Sequence, residues 1–276
     1  MKNLAFILLF SVALFAKDSL LIFAGSASKP ATQEIAKMFE KENNVTVDIV
    51  FGGSGYVLSQ MKLTKRGDIY FPGSSDYMEI AKEQGLVLPK TEKKVVYLVS
   101  AINVQKGNPK NIKSLSDLAK PGIRVAIANP EGVCVGSFAV EIIEKNFNAK
   151  QKEQFRKNLL NYTASCAKTA NAIALKQVDA VIGWRVFEYW NSDLIKTIPL
   201  KKDEIVRVGY IPIAISKFSK NPKLAQKFID YVSSKKAQNI FAKYHYLATL
   251  KEVKEYLGAD KKVGGVYKVP KFWIER

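Results

Sequence analysis

Four short loops hold the residues whose types and spacing can do chemistry. They are Gly25-Ser26-Ala27-Ser28 ahead of Pro30, Gly52-Gly53-Ser54-Gly55 ahead of Tyr56, Cys134-Val135-Gly136-Ser137 ahead of Phe138, and Cys166-Ala167-Lys168-Thr169 ahead of Ala170. In each, small or hydroxyl residues follow a strand-like run and a helical pattern begins. A helix start leaves backbone N–H groups without intrahelical partners and carries the positive end of the helix dipole, and small side chains let a ligand reach that backbone. Taken singly, each loop reads equally well as a turn and a cap, Ser28 and Thr169 being ordinary capping residues. Taken together, the four point to an anion site made of neutral donors. Gly53-Ser54-Gly55 lacks the Gly-Lys-Ser/Thr ending of a phosphate loop, so a nucleotide is disfavoured.

Catalysis has little to work with. The chain has two cysteines, Cys134 and Cys166, and one histidine, His245. These are too few for a closed zinc site of Cys and His or for an iron–sulfur cluster. A Ser-His or Cys-His enzyme would have to run through His245, which sits in Lys243-Tyr244-His245-Tyr246 near the end of a helical stretch rather than in a glycine-rich turn. Neither an enzyme nor a cofactor is expected.

The elements that must position these loops follow from length and pattern. With 276 residues, 47% of them hydrophobic and 25% charged, the chain is long enough for two modest globular domains. Lys2 followed by the apolar run Leu4 to Phe15 and Ala16 reads as a signal peptide over residues 1–16, and the run is too short to span a membrane. A periplasmic location is therefore expected. An oxidising compartment and an even count favour a Cys134–Cys166 disulfide, the competing reading being two free thiols near a binding site. The formal charge of +18 fits an anionic partner or simple solubility, and no aromatic-basic motif points to nucleic acid. Glu42-Asn43-Asn44-Val45-Thr46 fits the acid-extended sequon of bacterial N-glycosylation, with Asn44 as acceptor.

Short apolar runs alternate with segments of helical period, the pattern of an α/β fold with sheets covered by helices. Strands are predicted at 20–24, 45–51, 68–71, 124–128, 180–183 and 206–216, with a long apolar run at 95–104. Helices are predicted at 30–42, through Leu58, Met61 and Leu63, at 77–84, at 115–119 behind a Ser114 cap, at 136–146, 151–158, 170–176 and as a pair over 221–244. The chain is expected to leave one lobe near Val99 to Asn103 and come back near Gly209 to Ala214, with lobe bounds set at 17–100 plus 215–276 for the first and 101–214 for the second. Two crossings between similar lobes suggest a hinge.

The residues that carry a resemblance run in order along the chain. They are Phe23-Ala24-Gly25-Ser26-Ala27-Ser28, Phe51-Gly52-Gly53-Ser54-Gly55 leading to Gln60, Asn129-Pro130-Glu131 with Val135-Gly136, Asp179-Ala180-Val181-Ile182-Gly183-Trp184, and Ala225 to Tyr244. In this order they resemble the extracytoplasmic molybdate/tungstate-binding proteins of ABC transporters. The resemblance implies a two-lobe type II periplasmic-binding fold, each lobe a mixed sheet flanked by helices, closing on a tetrahedral oxyanion without catalysis. It implies as partners the oxyanion, molybdate or tungstate, and an inner-membrane ABC permease, with the receptor itself a monomer. It places Ser54 with Gly53 at the second loop, and Ala27 between Ser26 and Ser28 at the first, leaving open which hydroxyl serves. Val135 falls at the third-loop backbone donor and Thr169 at the fourth. Trp184 stands where the family has a tyrosine, with Arg185 beside it. That departure keeps sulfate, phosphate or a small carboxylate as alternatives; the high positive charge and the extra C-terminal residues keep a surface adhesin on the same fold as another. The tail Leu247 to Arg276 extends past the resemblance.

Overall fold

Each lobe is built on three parallel strands whose carboxyl ends face the other lobe. The computed structural model describes residues 17–258 and 260–274, so the expected signal segment lies outside the described residues. The first sheet orders its strands β2 (Thr46–Gly52), β1 (Ser19–Gly25), β3 (Ile69–Phe71), β10 (Gly209–Ile215), β4 (Lys93–Leu98). The second orders β7 (Leu159–Thr163), β6 (Val125–Ala128), β8 (Ala180–Trp184), β5 (Ser100–Gln105), β9 (Ile195–Pro199). β2, β1 and β3 are parallel, as are β7, β6 and β8, while the remaining pairings are antiparallel. The structure is thus the expected α/β fold of two mixed sheets.

Helices follow the parallel strands and cover the faces. In the first lobe these are α1 (Lys29–Asn43), α2 (Ser54–Thr64) and α3 (Ser75–Glu83); in the second, α4 (Cys134–Asn146), α5 (Ala149–Asn158), α6 (Cys166–Ala174) and α7 (Phe187–Trp190). After β10 come α8 (Pro222–Val232), α9 (Lys235–Lys243) and α10 (Leu250–Leu257). Pro30 suits the first turn of α1 because its missing N–H would be unpaired there anyway. The helix buries Ile35, Ala36 and Phe39, and Phe39 meets Phe228 of α8 edge-to-face at 5.1 Å.

The apolar run at 95–104 is two strands in two sheets, joined at the buried Val99. β10 pairs with β3 and β4, so the return to the first lobe lies just before Gly209, at the start of the expected Gly209–Ala214 stretch, and the first lobe takes in 209–214 as well. The C-terminal residues also depart from the expected partition. Tyr97 pairs with Leu247 on the first lobe, but Val253, Leu257 and Trp273 join the core of the second. Val263 pairs with Val208 on the way, at the crossing between lobes. Among the described residues no helix is long and apolar enough to cross a membrane.

Trp273 anchors this C-terminal strap. It is fully buried, packs edge-to-face on Phe155 at 6.1 Å, and donates its indole N–H to Glu144 Oε1 at 2.7 Å. Trp273→Ala would leave a large cavity and strip Glu144 of one of its two partners, the other being Lys152, so we expect it to lower unfolding free energy by about 3–5 kcal/mol in a denaturant titration.

Candidate functional site

The loops singled out in the sequence meet between the lobes. Ser26, Ala27, Ser28, Ser54, Cys134, Val135, Cys166, Thr169 and Trp184 are all buried, none more than 3% exposed. The lobes touch through backbone: the Gly55 N–H donates to the Gly132 carbonyl at 2.9 Å, and the Tyr77 hydroxyl to the Glu131 carbonyl at 2.7 Å. The close approach explains Gly53. Its backbone (φ −67°, ψ 141°) suits any residue, but a Cβ there would lie 2.7 Å from the Gly132 carbonyl oxygen of the other lobe.

The donors divide into spent and free. Ser26 Oγ donates to the Gly52 carbonyl, and Ser28 Oγ bonds Thr32 Oγ1, so both first-loop hydroxyls brace their own lobe. Ala27 is braced too, its carbonyl accepting from Tyr246 Oη at 2.7 Å. Thr169 commits both its N–H and its hydroxyl to the Ser165 carbonyl, so the fourth loop presents its earlier residues rather than Thr169. Ser54 is different. Its Oγ accepts from the Gly73 N–H at 2.9 Å, which leaves the hydroxyl proton available to an acceptor in the cleft. The backbone N–H groups of Ser54, Cys134 and Cys166, each the first residue of its helix, make no hydrogen bond among the described residues.

Trp184 closes β8 and stacks edge-to-face on Phe138 at 4.9 Å. Its indole Nε1 is buried, makes no hydrogen bond of good geometry among the described residues, and faces the Cys166 sulfur. Arg185 points elsewhere: its guanidinium donates to the His245 carbonyl and lies 4.7 Å from the Tyr256 ring centroid.

The disulfide expected between Cys134 and Cys166 is not formed; both are buried free thiols. Each is the first residue of its own helix, so their sulfurs meet as side chains of two separate helix starts. Burial pushes the Cys166 thiol well up and the neighbouring Cys134 sulfur adds to this, against the opposing indole N–H of Trp184 and N–H of Val135. A buried, fully protonated thiol is a poor nucleophile.

The nearest carboxylates do not enter the donor set. Asp76, at the start of α3, receives both terminal nitrogens of Arg207 at 3.0 Å each, and Arg207 Nε donates to Glu141 of α4 at 2.6 Å. Arg207 is 2% exposed and its guanidinium lies 3.7 Å from the Phe138 ring centroid. Burial works against its charge, but Asp76 and Glu141 together raise its pKa. Because Asp76 and Glu141 belong to different lobes, Arg207 is a clasp between them at the crossing. The sequence reasoning passed over this clasp, since nothing local links residues 76 and 207. It also passed over Gly73, although Phe71-Pro72-Gly73-Ser74-Ser75 repeats the small-residue pattern ahead of α3.

Comparison with known proteins shows the family. A family model described as bacterial extracellular solute-binding protein matches residues 20–247. The putative ABC transporter substrate-binding lipoprotein YvgL of Bacillus subtilis is 25% identical over 84% of this chain and 87% of its own length. Molybdate-binding protein ModA of Escherichia coli is 24% identical over 85% and 91% respectively. Among solved structures, L-phospholactate-bound PEB3 is 25% identical with a TM-score of 0.66, covering 83% of this chain and all of the other.

Two outcomes follow from the site. Gly53→Ala should fold with unchanged stability but hold the lobes apart, weakening ligand binding at least tenfold in calorimetric titration. Thiol titration of unreduced protein should find both cysteines silent in the native state and two reactive thiols after denaturation.

Proposed function

We propose, from the premise that this chain belongs to the bacterial extracellular solute-binding protein family, that it is the periplasmic receptor of an ABC transporter for a tetrahedral dianion, molybdate or tungstate. Its relatives are binding proteins of transporters, and it is not an enzyme. One observation carries the ligand assignment: the buried first residues of three helices, Ser54 in one lobe and Cys134 and Cys166 in the other, have N–H groups without partners among the described residues, and the Asp76 carboxylate beside α3 is already paired with Arg207.

The chemistry favours a ligand that only accepts hydrogen bonds. A permanent dianion is satisfied by donors from every side, whereas protonated phosphate needs one acceptor for its own proton. Asp76 is occupied by Arg207 and Glu131 is exposed, so neither supplies that acceptor. In this reading Ser54 donates through its hydroxyl and N–H, Cys134 and Cys166 through backbone, and Trp184 through its indole once a ligand draws it from the Cys166 sulfur, while the Val135 N–H stays on that sulfur. Gly53 admits the opposite lobe, and the Ser26–Ser28 turn holds the first loop in shape. Neutral donors hold a dianion well because their dipoles are already aligned and closure excludes water. Release to the membrane permease then requires the lobes to part, which breaks the Gly55–Gly132 and Tyr77–Glu131 bonds.

A second reading has one specific support, the L-phospholactate bound by PEB3. A phosphorylated carboxylate would need room beyond the oxyanion and a cation for its carboxylate.

Parallel calorimetric titration of ligand-stripped protein separates these readings. Molybdate and tungstate should bind with submicromolar Kd, and sulfate, phosphate and phospholactate at least a hundredfold more weakly. Ser54→Ala should cost about 1.5–3 kcal/mol of affinity, the worth of a hydrogen bond to a charged group. Tight phospholactate binding with none of molybdate would overturn the assignment.

A further inference from the structure

We propose that Asn44 is a modification site, the acceptor of an N-linked oligosaccharide. The inference rests on the extracytoplasmic location of the family and is independent of which anion the cleft holds. Glu42-Asn43-Asn44-Val45-Thr46 carries an acid two residues before the asparagine and a hydroxyl two residues after it, the acid-extended form that bacterial N-glycosylation uses.

The structure presents this motif as an acceptor should be presented. Asn44 caps the C-terminal end of α1 in the left-handed conformation (φ 52°, ψ 45°) and is exposed. Its carboxamide makes no hydrogen bond among the described residues, whereas that of Asn43 is tied to the Phe39 carbonyl at 2.8 Å. Glu42 reaches Lys236 of α9 at the surface, its side chain 39% exposed. Thr46 is partly exposed and its hydroxyl is likewise uncommitted among the described residues.

A second Asn-X-Thr in the chain supplies an internal contrast. Asn161 of Asn161-Tyr162-Thr163 lies within β7 opposite Ala126, has Leu159 two residues before it, and its threonine hydroxyl is buried against Thr169 Oγ1 at 2.5 Å. It lacks the acid, the turn and a free hydroxyl, so it stays unmodified.

Position makes the modification compatible with transport. Asn44 precedes β2 and the Gly53–Ser54 loop follows it, so seven strand residues at about 3.3 Å each put roughly 20 Å between glycan and cleft. β2 is the edge strand of the first sheet, and a glycan at its head would shield an open edge from pairing with another chain. The donor is a polyprenyl-pyrophosphate-linked oligosaccharide. Asn44 Nδ2 attacks the anomeric carbon, a C–N bond forms as the C–O bond to pyrophosphate breaks, the lipid pyrophosphate leaves, and the amide proton passes to a base of the transferase.

The test is export of the full chain in bacteria that carry an acid-directed N-oligosaccharyltransferase and its lipid-linked glycan, with intact-mass measurement. The expected result is one glycan mass on the wild-type chain, kept in Asn161→Gln, lost in Asn44→Gln and Thr46→Ala, and reduced at least tenfold in occupancy by Glu42→Gln. Anion affinity should agree within twofold between glycosylated protein and Asn44→Gln. A wild-type chain that emerges unmodified while a co-expressed acceptor protein is glycosylated, or a glycan mass that survives Asn44→Gln, would overturn the proposal.

Discussion

Buried helix starts without hydrogen-bond partners set the energetics of the cleft. A buried polar group left unpaired costs about 1–3 kcal/mol, and the first N–H groups of α2, α4 and α6 all face this cost once the lobes meet, together with the Trp184 indole. In an open protein, water pairs these groups and the cost vanishes. Closure without ligand is therefore opposed by several kcal/mol, and closure around an acceptor-only anion turns the same groups into charge-assisted bonds. The differential between these cases is what a ligand needs in order to shift the population toward the closed form. Gly53 and Gly132 serve the same end sterically, because only bare backbone lets the donors of one lobe come within reach of an anion held by the other.

The formal charge of +18 plays no direct part in this pocket. Where a cation does stand close, it is Arg207, and it is consumed by two carboxylates and the Gly265 carbonyl. Placing a neutralised cluster at the crossing does two things. It keeps Asp76 from repelling an anion, and it ties α3 of the first lobe to α4 of the second at the point where little relative movement is needed. The bulk of the positive charge lies on lysines at the surface, where it raises the encounter rate of anions without being desolvated.

How much of this was legible in the sequence depended on whether the signal was local. The strand–small loop–helix pattern is written in consecutive residues, so the loops at Ser26, Ser54, Val135 and Cys166 were visible. The fate of each donor was not: Thr169 looks like a ligand residue until the Ser165 carbonyl takes both of its donors, and that requires the folded turn. The two cysteines had the right count and compartment for a bridge, yet each heads its own helix, a relation no spacing reveals. Strand β7 escaped notice because it is half exposed and carries Asn161, and β9 because it carries Lys196. β4 and β5 fused into one apolar run because β5 is buried on both faces, and such strands lose the alternation that marks a boundary.

The strap after residue 247 adds a constraint that the two crossings alone do not impose. It starts on the first lobe at Leu247, pairs Val263 with Val208 at the crossing, hands its Gly265 carbonyl to Arg207, and ends with Trp273 inside the second lobe. Any opening that separates the lobes must keep these contacts or break them. Rotation about the crossing can keep them, since Val208, Arg207 and Gly265 all lie at the crossing itself, while a sliding motion would strip Arg207 of Asp76 or Glu141, which belong to different lobes. The strap thus favours hinge opening over shear, and it does so with residues outside the span matched by the family model.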